Sequence, residues 1–180
     1  MNFTKTDIEG VIVVEPKVFG DARGSFYESY RKELFVRNGI ADDFVQDNVS
    51  SSAKGVLRGL HYQIAPRAQA KLMRVLRGSV YDVAVDIRPQ SKTFGKFFSI
   101  TLSAENRKML YVPKGLAHGF CVLEEGTEFM YKVSDYYSPE HEGGVLWSDS
   151  DLAIPWPGSD RAFILSDKDK KYPVLKDLKL

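Results

Sequence analysis

Cysteine and histidine are the scarce residues of this chain. Of 180 residues, one is cysteine, Cys121, and three are histidine, His61, His118 and His141. A single thiol excludes an intrachain disulfide and any zinc site built on several thiolates. An excess of one charge sign is also missing. With 25 Lys and Arg against 24 Asp and Glu, the formal net charge is +1, so no whole-chain field draws nucleic acid or an anionic membrane. Anion binding has to come from a local cluster. No apolar run approaches the roughly 18 residues of a transmembrane helix. The opening Met1-Asn2-Phe3-Thr4-Lys5-Thr6-Asp7 has no apolar stretch of the secretory type. A cytoplasmic protein without membrane or nucleic-acid partners is therefore expected. Walker loops and Gly-x-Gly-x-x-Gly are missing too, so side chains rather than a helix N-terminus would grip any nucleotide.

What the chain does have is short strand-like runs. They are Val11–Val14, Ser25–Tyr30, Phe44–Ser50, Val56–Gln63, Leu72–Leu76, Val80–Ile87, Phe97–Leu102, Met109–Val112, Gly119–Leu123 and Phe129–Val133. Turn residues such as Arg77-Gly78-Ser79, Pro113-Lys114-Gly115 and Glu125-Gly126 separate them. Many short strands with regular turn signals predict an all-β sandwich or barrel. No repeat or linker interrupts the chain, so one domain over residues 1–180 is expected. Arg31–Asn38, stopped by Gly39, is the best helix. A second helical turn is expected between Ser103 and Lys108, and an irregular tail from Ser166. In Val80–Ile87, alternation puts Tyr81, Val83, Val85 and Ile87 on a core face. Val80, Asp82, Ala84 and Asp86 share the other face, which reads as solvated or, less commonly, as a polar barrel interior.

The run Val56-Leu57-Arg58-Gly59-Leu60-His61-Tyr62-Gln63 is the most informative. Histidine titrates near neutral pH, so His61 is a candidate general base, although one histidine alone is more often a hydrogen-bonded core residue. Arg58 and His61 have opposite parity on a flat strand. They reach one site only if Gly59 bends or bulges it. Lys71 begins the next run and is a candidate for stabilising an oxyanion beside the base. Tyr131 is a candidate general acid, with a rim tyrosine the equally common alternative. His118 lies among Pro113, Gly115 and Gly119, where backbone is held close to something. His141 reads as loop decoration. Arg23, Arg58 and Lys71 are cations that suit phosphate oxygens. A transition metal is not expected: the His-x-His pair of metal-binding β-barrels is broken in His61-Tyr62-Gln63, and Lys71 stands where a carboxylate ligand would be wanted.

These residues lie in an ordered series of motifs. It includes Asp21-Ala22-Arg23-Gly24, Phe26-Tyr27-Glu28-Ser29-Tyr30, Gln46-Asp47-Asn48, Arg58-Gly59-Leu60-His61, Gln69-Ala70-Lys71-Leu72, Asp82-Val83-Ala84-Val85-Asp86, Ala117-His118-Gly119-Phe120, Tyr136-Tyr137-Ser138-Pro139 and Leu165-Ser166-Asp167-Lys168-Asp169. Over essentially its whole length the chain resembles the dTDP-4-dehydrorhamnose 3,5-epimerase family. The resemblance implies a metal-free, cofactor-free, cupin-like jelly roll that forms homodimers by exchanging N-terminal strands. It implies His61 as base, Asp169 as its orienting carboxylate, Tyr131 as acid, and Lys71 and His118 beside the sugar. Arg23, Glu28, Gln46, Asp47, Asn48, Arg58, Glu142 and Lys168 would hold the dTDP-sugar substrate, some of them across the dimer. Asp167 is a second carboxylate that could pair with His61. The runner-up readings are a 3-epimerase or 3,4-ketoisomerase on the same scaffold and a non-catalytic sugar-nucleotide binder. The joint presence of His61, Tyr131 and Asp169 argues against the last.

Overall fold

The computed structural model describes residues 1–158 and 162–179. The described chain is almost entirely β-structure, in chain order β1 (Asn2–Lys5), β2 (Ile12–Glu15), β3 (Val18–Asp21), β4 (Gly24–Tyr27), β5 (Gln46–Ser52), β6 (Leu57–Gln63), β7 (Lys71–Arg77), β8 (Ser79–Asp86), β9 (Phe97–Ser103), β10 (Met109–Val112), β11 (Leu116–Val122), β12 (Thr127–Val133) and β13 (Glu142–Gly144). The helix α1 covers Lys32–Arg37. The strands form two antiparallel sheets, ordered β1-β2-β10-β7-β12-β5 and β13-β6-β11-β8-β9. Strands β3 and β4 make a separate hairpin that pairs with neither sheet.

Alternation explains how the sheets pack. Inward residues Met73, Val75, Val80, Ala84, Leu110, Phe120 and Phe129 fill the space between them. Leu57, Leu60, Val83, Val85, Ala117 and Cys121 face the other way on the five-stranded sheet, where Val145, Leu152, Trp156 and Leu175 cover them. Ile12, Val14, Leu72 and Met109 are covered by Phe35 of α1 and by Ile40. Both faces of β8 are therefore buried. The expectation of a solvated Asp82–Asp86 face fails, because that face looks into the sandwich and both carboxylates are fully buried and paired. Asp86 accepts from Arg88, Ser91 and Thr93, which secures the loop after β8. Asp82 belongs to the site.

Three strands lie outside the sequence expectation. Strand β1 carries a single large apolar residue, β3 is fully exposed, and β13 is Glu-Gly-Gly, whose pairing depends on its neighbours rather than on its own propensity. The helical turn expected between Ser103 and Lys108 is a single turn closed by the Arg107 amide donating to the Ser103 carbonyl at 3.0 Å, and it does not extend into a helix. Asn106 Oδ1 accepts from the Ser103 and Lys108 amides and pins it.

The bulge in β6 positions the site. His118 pairs with His61 and Phe120 with Arg58, so β6 spends three residues where β11 spends two. Gly59 sits at φ +132°, and a Cβ there would lie 2.5 Å from the Gly119 Cα, so only glycine allows the two backbones to approach this closely. The inserted residue resets the parity. Leu57 and Leu60 share the outer core, while Arg58, itself exposed, turns toward the six-stranded sheet and donates to the Ser52 hydroxyl of β5 at 3.2 Å, and His61 lines the cavity described below.

Candidate active site

One open end of the sandwich holds a cavity of about 340 Å³ lined by Gln46, Asn48, His61, Tyr62, Gln63, Gln69, Lys71, Tyr131, Tyr137 and Glu142. Three strands supply the reactive groups. His61 stands on β6 of the five-stranded sheet, and Tyr131 and Lys71 stand on β12 and β7 of the six-stranded sheet. The base candidate and the acid candidate therefore face one another across the cavity from opposite sheets.

His61 Nε2 lies 2.6 Å from Asp169 Oδ1, a contact between residues 108 positions apart. Asp169 is itself held by its amide, which donates to Ser166 Oγ at 3.1 Å. Burial is the largest single influence and works against its charge, but His61, Ser166 and Lys168 together outweigh it and keep the carboxyl below its ordinary range. Asp167, the alternative partner, is an exposed residue paired with Lys170. An aromatic ring closes the outer side of the dyad. Tyr172 packs edge-on against the imidazole with centroids 5.7 Å apart. It fits because β13 passes His61 as Gly144, where a Cβ would meet the Tyr172 ring at 2.5 Å.

Lys71 donates to the His61 carbonyl at 3.3 Å. Burial pushes its ammonium down to about 8, a shift resisted by the charges of Asp82 and Glu142. A cation held dry beside the cavity suits a developing negative charge. The Tyr131 phenol is pushed up by burial against the opposing effect of Arg58, so it keeps its proton at neutral pH. His118 lies behind these groups, buried, with Nε2 at 3.0 and 3.1 Å from the two Asp82 oxygens. Burial holds it below the ordinary histidine range despite Asp82.

The rim is polar. Glu142 Oε2 accepts from Lys168 at 2.7 Å and from Tyr137 at 2.9 Å. These bonds overcome the cost of its burial and hold its pKa down. Gln46 donates to Asn48 and accepts from the Tyr137 amide. Gln63 and Gln69 fasten the loop that delivers Tyr137: Gln63 accepts from the Ser138 amide, and Gln69 donates to the Asp135 carbonyl. Tyr137, Gln63, Gln69 and Tyr172 were not singled out from the sequence. An amide side chain next to a strand end and a tyrosine in a loop look ordinary until the fold brings them together. His141 stays in its loop, with Nδ1 on the Ser138 hydroxyl. Among the described residues, no group of three or more His, Cys, Asp or Glu is arranged to hold a metal ion.

Three of the residues implied by the resemblance stand apart from this cavity. Asp47 alternates with Gln46 and Asn48 on β5, so it turns to the outer face and pairs with Lys132 at 2.7 Å. Its grouping with its two neighbours does not hold, because adjacent residues on a strand point to opposite faces. Arg23 sits in the β3–β4 turn, with its side chain 90% exposed and paired with Asp21. Glu28 follows β4 and pairs with Arg31 at 2.7 Å.

Known proteins are similar to this chain in sequence and in fold. The family model described as dTDP-4-dehydrorhamnose 3,5-epimerase matches residues 5–177. A dTDP-4-dehydrorhamnose 3,5-epimerase from Shigella flexneri is 54% identical over 170 residues, covering 94% of this chain and 93% of that protein. The crystal structure of a dTDP-6-deoxy-D-glucose-3,5-epimerase from Legionella pneumophila, in complex with dTDP-4-keto-L-rhamnose, superposes with a TM-score of 0.94 at 47% identity, covering 99% of this chain and 94% of that one. A 3'-monoepimerase from Streptomyces bikiniensis, in complex with dTDP-quinovose, superposes at 0.89 with 38% identity, covering 95% and 86% of the two chains. On a full-length family match and relatives of this identity, the chain belongs to the dTDP-4-dehydrorhamnose 3,5-epimerase family.

Proposed function

We propose that this protein is a dTDP-4-dehydrorhamnose 3,5-epimerase, an isomerase that converts dTDP-4-dehydro-6-deoxy-α-D-glucose to dTDP-4-dehydro-β-L-rhamnose. The observation that carries the reading is the pairing of an imidazole–carboxylate base and a protonated phenol across one cavity, with a buried ammonium beside them. Inversion at carbon needs a proton removed from one face of the sugar ring and delivered to the other. The C4 ketone acidifies the protons on C3 and C5. His61 takes each in turn, and Asp169 fixes its ring and stabilises the imidazolium that forms. The electron pair moves onto O4, where Lys71 meets the charge. Tyr131 returns a proton from the opposite side. The substrate's own carbonyl is the electron sink, so no cofactor takes part.

The remote nucleotide positions the reacting carbons. Gln46, Asn48, Arg58, Glu142 and Lys168 hold it on one subunit, and Arg23 and Glu28 reach in from a homodimeric partner. In support, the β3–β4 hairpin stands clear of both sheets and presents Phe19 at 54% and Phe26 at 71% exposure. The enzyme works in the cytoplasm.

Incubation with dTDP-4-dehydro-6-deoxyglucose in deuterated water tests the assignment. Deuterium at both C3 and C5 is expected. Deuterium at C3 alone would move the protein to the monoepimerase reading, which the Streptomyces bikiniensis structure keeps in view.

A further inference from the structure

Beside the His61–Asp169 base lies a second imidazole–carboxylate pair to which the reaction above gives no role. Asp82 on β8 is fully buried, and His118, its hydrogen-bond partner among the described residues, is the register neighbour of His61. A buried carboxylate is costly unless positive charge or donors compensate it. Asp82 has no lysine or arginine in ion-pair contact among the described residues; its carboxylate meets only the His118 imidazole, at Nε2. Lys71 shows the complementary pattern. Its ammonium donates to the His61 carbonyl and touches no carboxylate. His61 from β6, Tyr131 from β12 and Glu142 from β13 line the cavity with it, and the charges of Asp82 on β8 and His118 on β11 are close enough to act on it. Glu142 is already bound to Lys168 and Tyr137, which leaves Asp82, held only by an imidazole, as the nearby anion with no cationic side chain of its own among the described residues.

We propose that Asp82 is a positioning residue for the oxyanion side of the site: it fixes the His118 ring through Nε2 and supplies the buried counter-charge that keeps the Lys71 ammonium protonated. The inference rests on the reading of Lys71 as the group that meets the enolate. Two consequences follow. A carboxylate only accepts, so neutral His118 carries its proton on Nε2 and its Nδ1 is an acceptor. With its one proton committed to Asp82, that ring has none to give an enolate oxygen, and the oxyanion is left to Lys71. The second consequence concerns pH. Lys71 is useful while protonated, so turnover falls as pH rises through its pKa, which burial has already brought to about 8. Removing the Asp82 charge lowers that pKa further, and the alkaline limb of kcat moves to lower pH.

The first test uses the wild-type protein without substrate. ¹⁵N NMR of histidine-labelled protein at pH 7 should show His118 neutral and protonated at Nε2, with the signal assigned through His118→Gln. A neutral ring protonated at Nδ1, or a His118 fully charged at pH 7, would overturn the proposal. This result does not depend on catalysis, so it is separable from failure of the epimerase reading, which would appear as wild-type protein that binds dTDP but turns nothing over. The second test is Asp82→Asn, which keeps an acceptor for His118 and removes the charge. Its alkaline limb should move down by about one pH unit, with dTDP affinity unchanged by calorimetry. An unmoved limb in folded, dTDP-binding protein would refute the counter-charge role. If the variant does not fold, the tautomer measurement decides.

Discussion

The two imidazole–carboxylate pairs of this site use the same two residue types on neighbouring strands, yet they are built for different work. His61 keeps 27% of its side-chain exposure and His118 keeps 7%, while Asp169 and Asp82 keep 3% and 0%. The more open ring can reach a ligand in the cavity and take a proton from it. The enclosed ring holds its place. Their carboxylates also arrive differently. Asp82 comes from the adjacent strand β8, two sheet positions from β6. Asp169 comes from the irregular C-terminal segment and is held by a turn at Ser166. The comparison teaches that a His–Asp pair becomes a base or a support according to what surrounds it.

The largest expected effect breaks the symmetry directly. His61→Asn should lower kcat by about 10²–10⁴-fold and leave dTDP binding by calorimetry nearly intact, because the imidazole acts on the sugar and not on the nucleotide. His118→Gln, which can still donate to Asp82, should cost roughly 10–100-fold, the scale of one or two lost hydrogen bonds to charged or reacting groups. Equal losses would erase the distinction between the dyads.

A smaller effect should follow from disturbing the bulge that turns both Arg58 and His61 toward the six-stranded sheet. Gly59→Ala places a Cβ 2.5 Å from the Gly119 Cα. The strands must part, with a cost of about 1–3 kcal/mol for strain of this kind. A lowered Tm together with a raised KM for the dTDP-sugar is expected; an unchanged KM would mean that the bulge does not position Arg58. The smallest expected effect is none. Exhaustive chelation should leave activity intact, and activity that returned with one particular metal would replace the base-and-acid account of the dyads.

Much of this was legible in the sequence, for identifiable reasons. Strands such as Val80–Ile87 and Phe129–Val133 announce themselves by apolar alternation. The parity conflict between Arg58 and His61 pointed to a bulge at Gly59, and the register of β6 on β11 contains one. The missed features share a cause, since each depends on a distant partner. Glu142-Gly143-Gly144 pairs as a strand because its glycines leave room for the Tyr62 and Tyr172 rings. Asp82 looked solvated because nothing local revealed that the six-stranded sheet would pack over that face of β8. Asp47 looked like part of a binding triplet because the motif was read as a unit, although alternation turns it outward. The choice between Asp167 and Asp169 depended on a turn, which leaves Asp167 exposed.

The central claim is that a base and a separate acid face one another from opposite sheets. Tyr131→Phe tests it most directly, with solvent exchange and product formation followed in the same tube. Without the phenol, His61 still removes protons from C3 and C5, and the enolate recovers a proton from the same side. The account predicts that label wash-out persists while net epimerisation falls by a much larger factor. Equal large losses in both would contradict it and leave Tyr131 as a wall of the cavity rather than its acid.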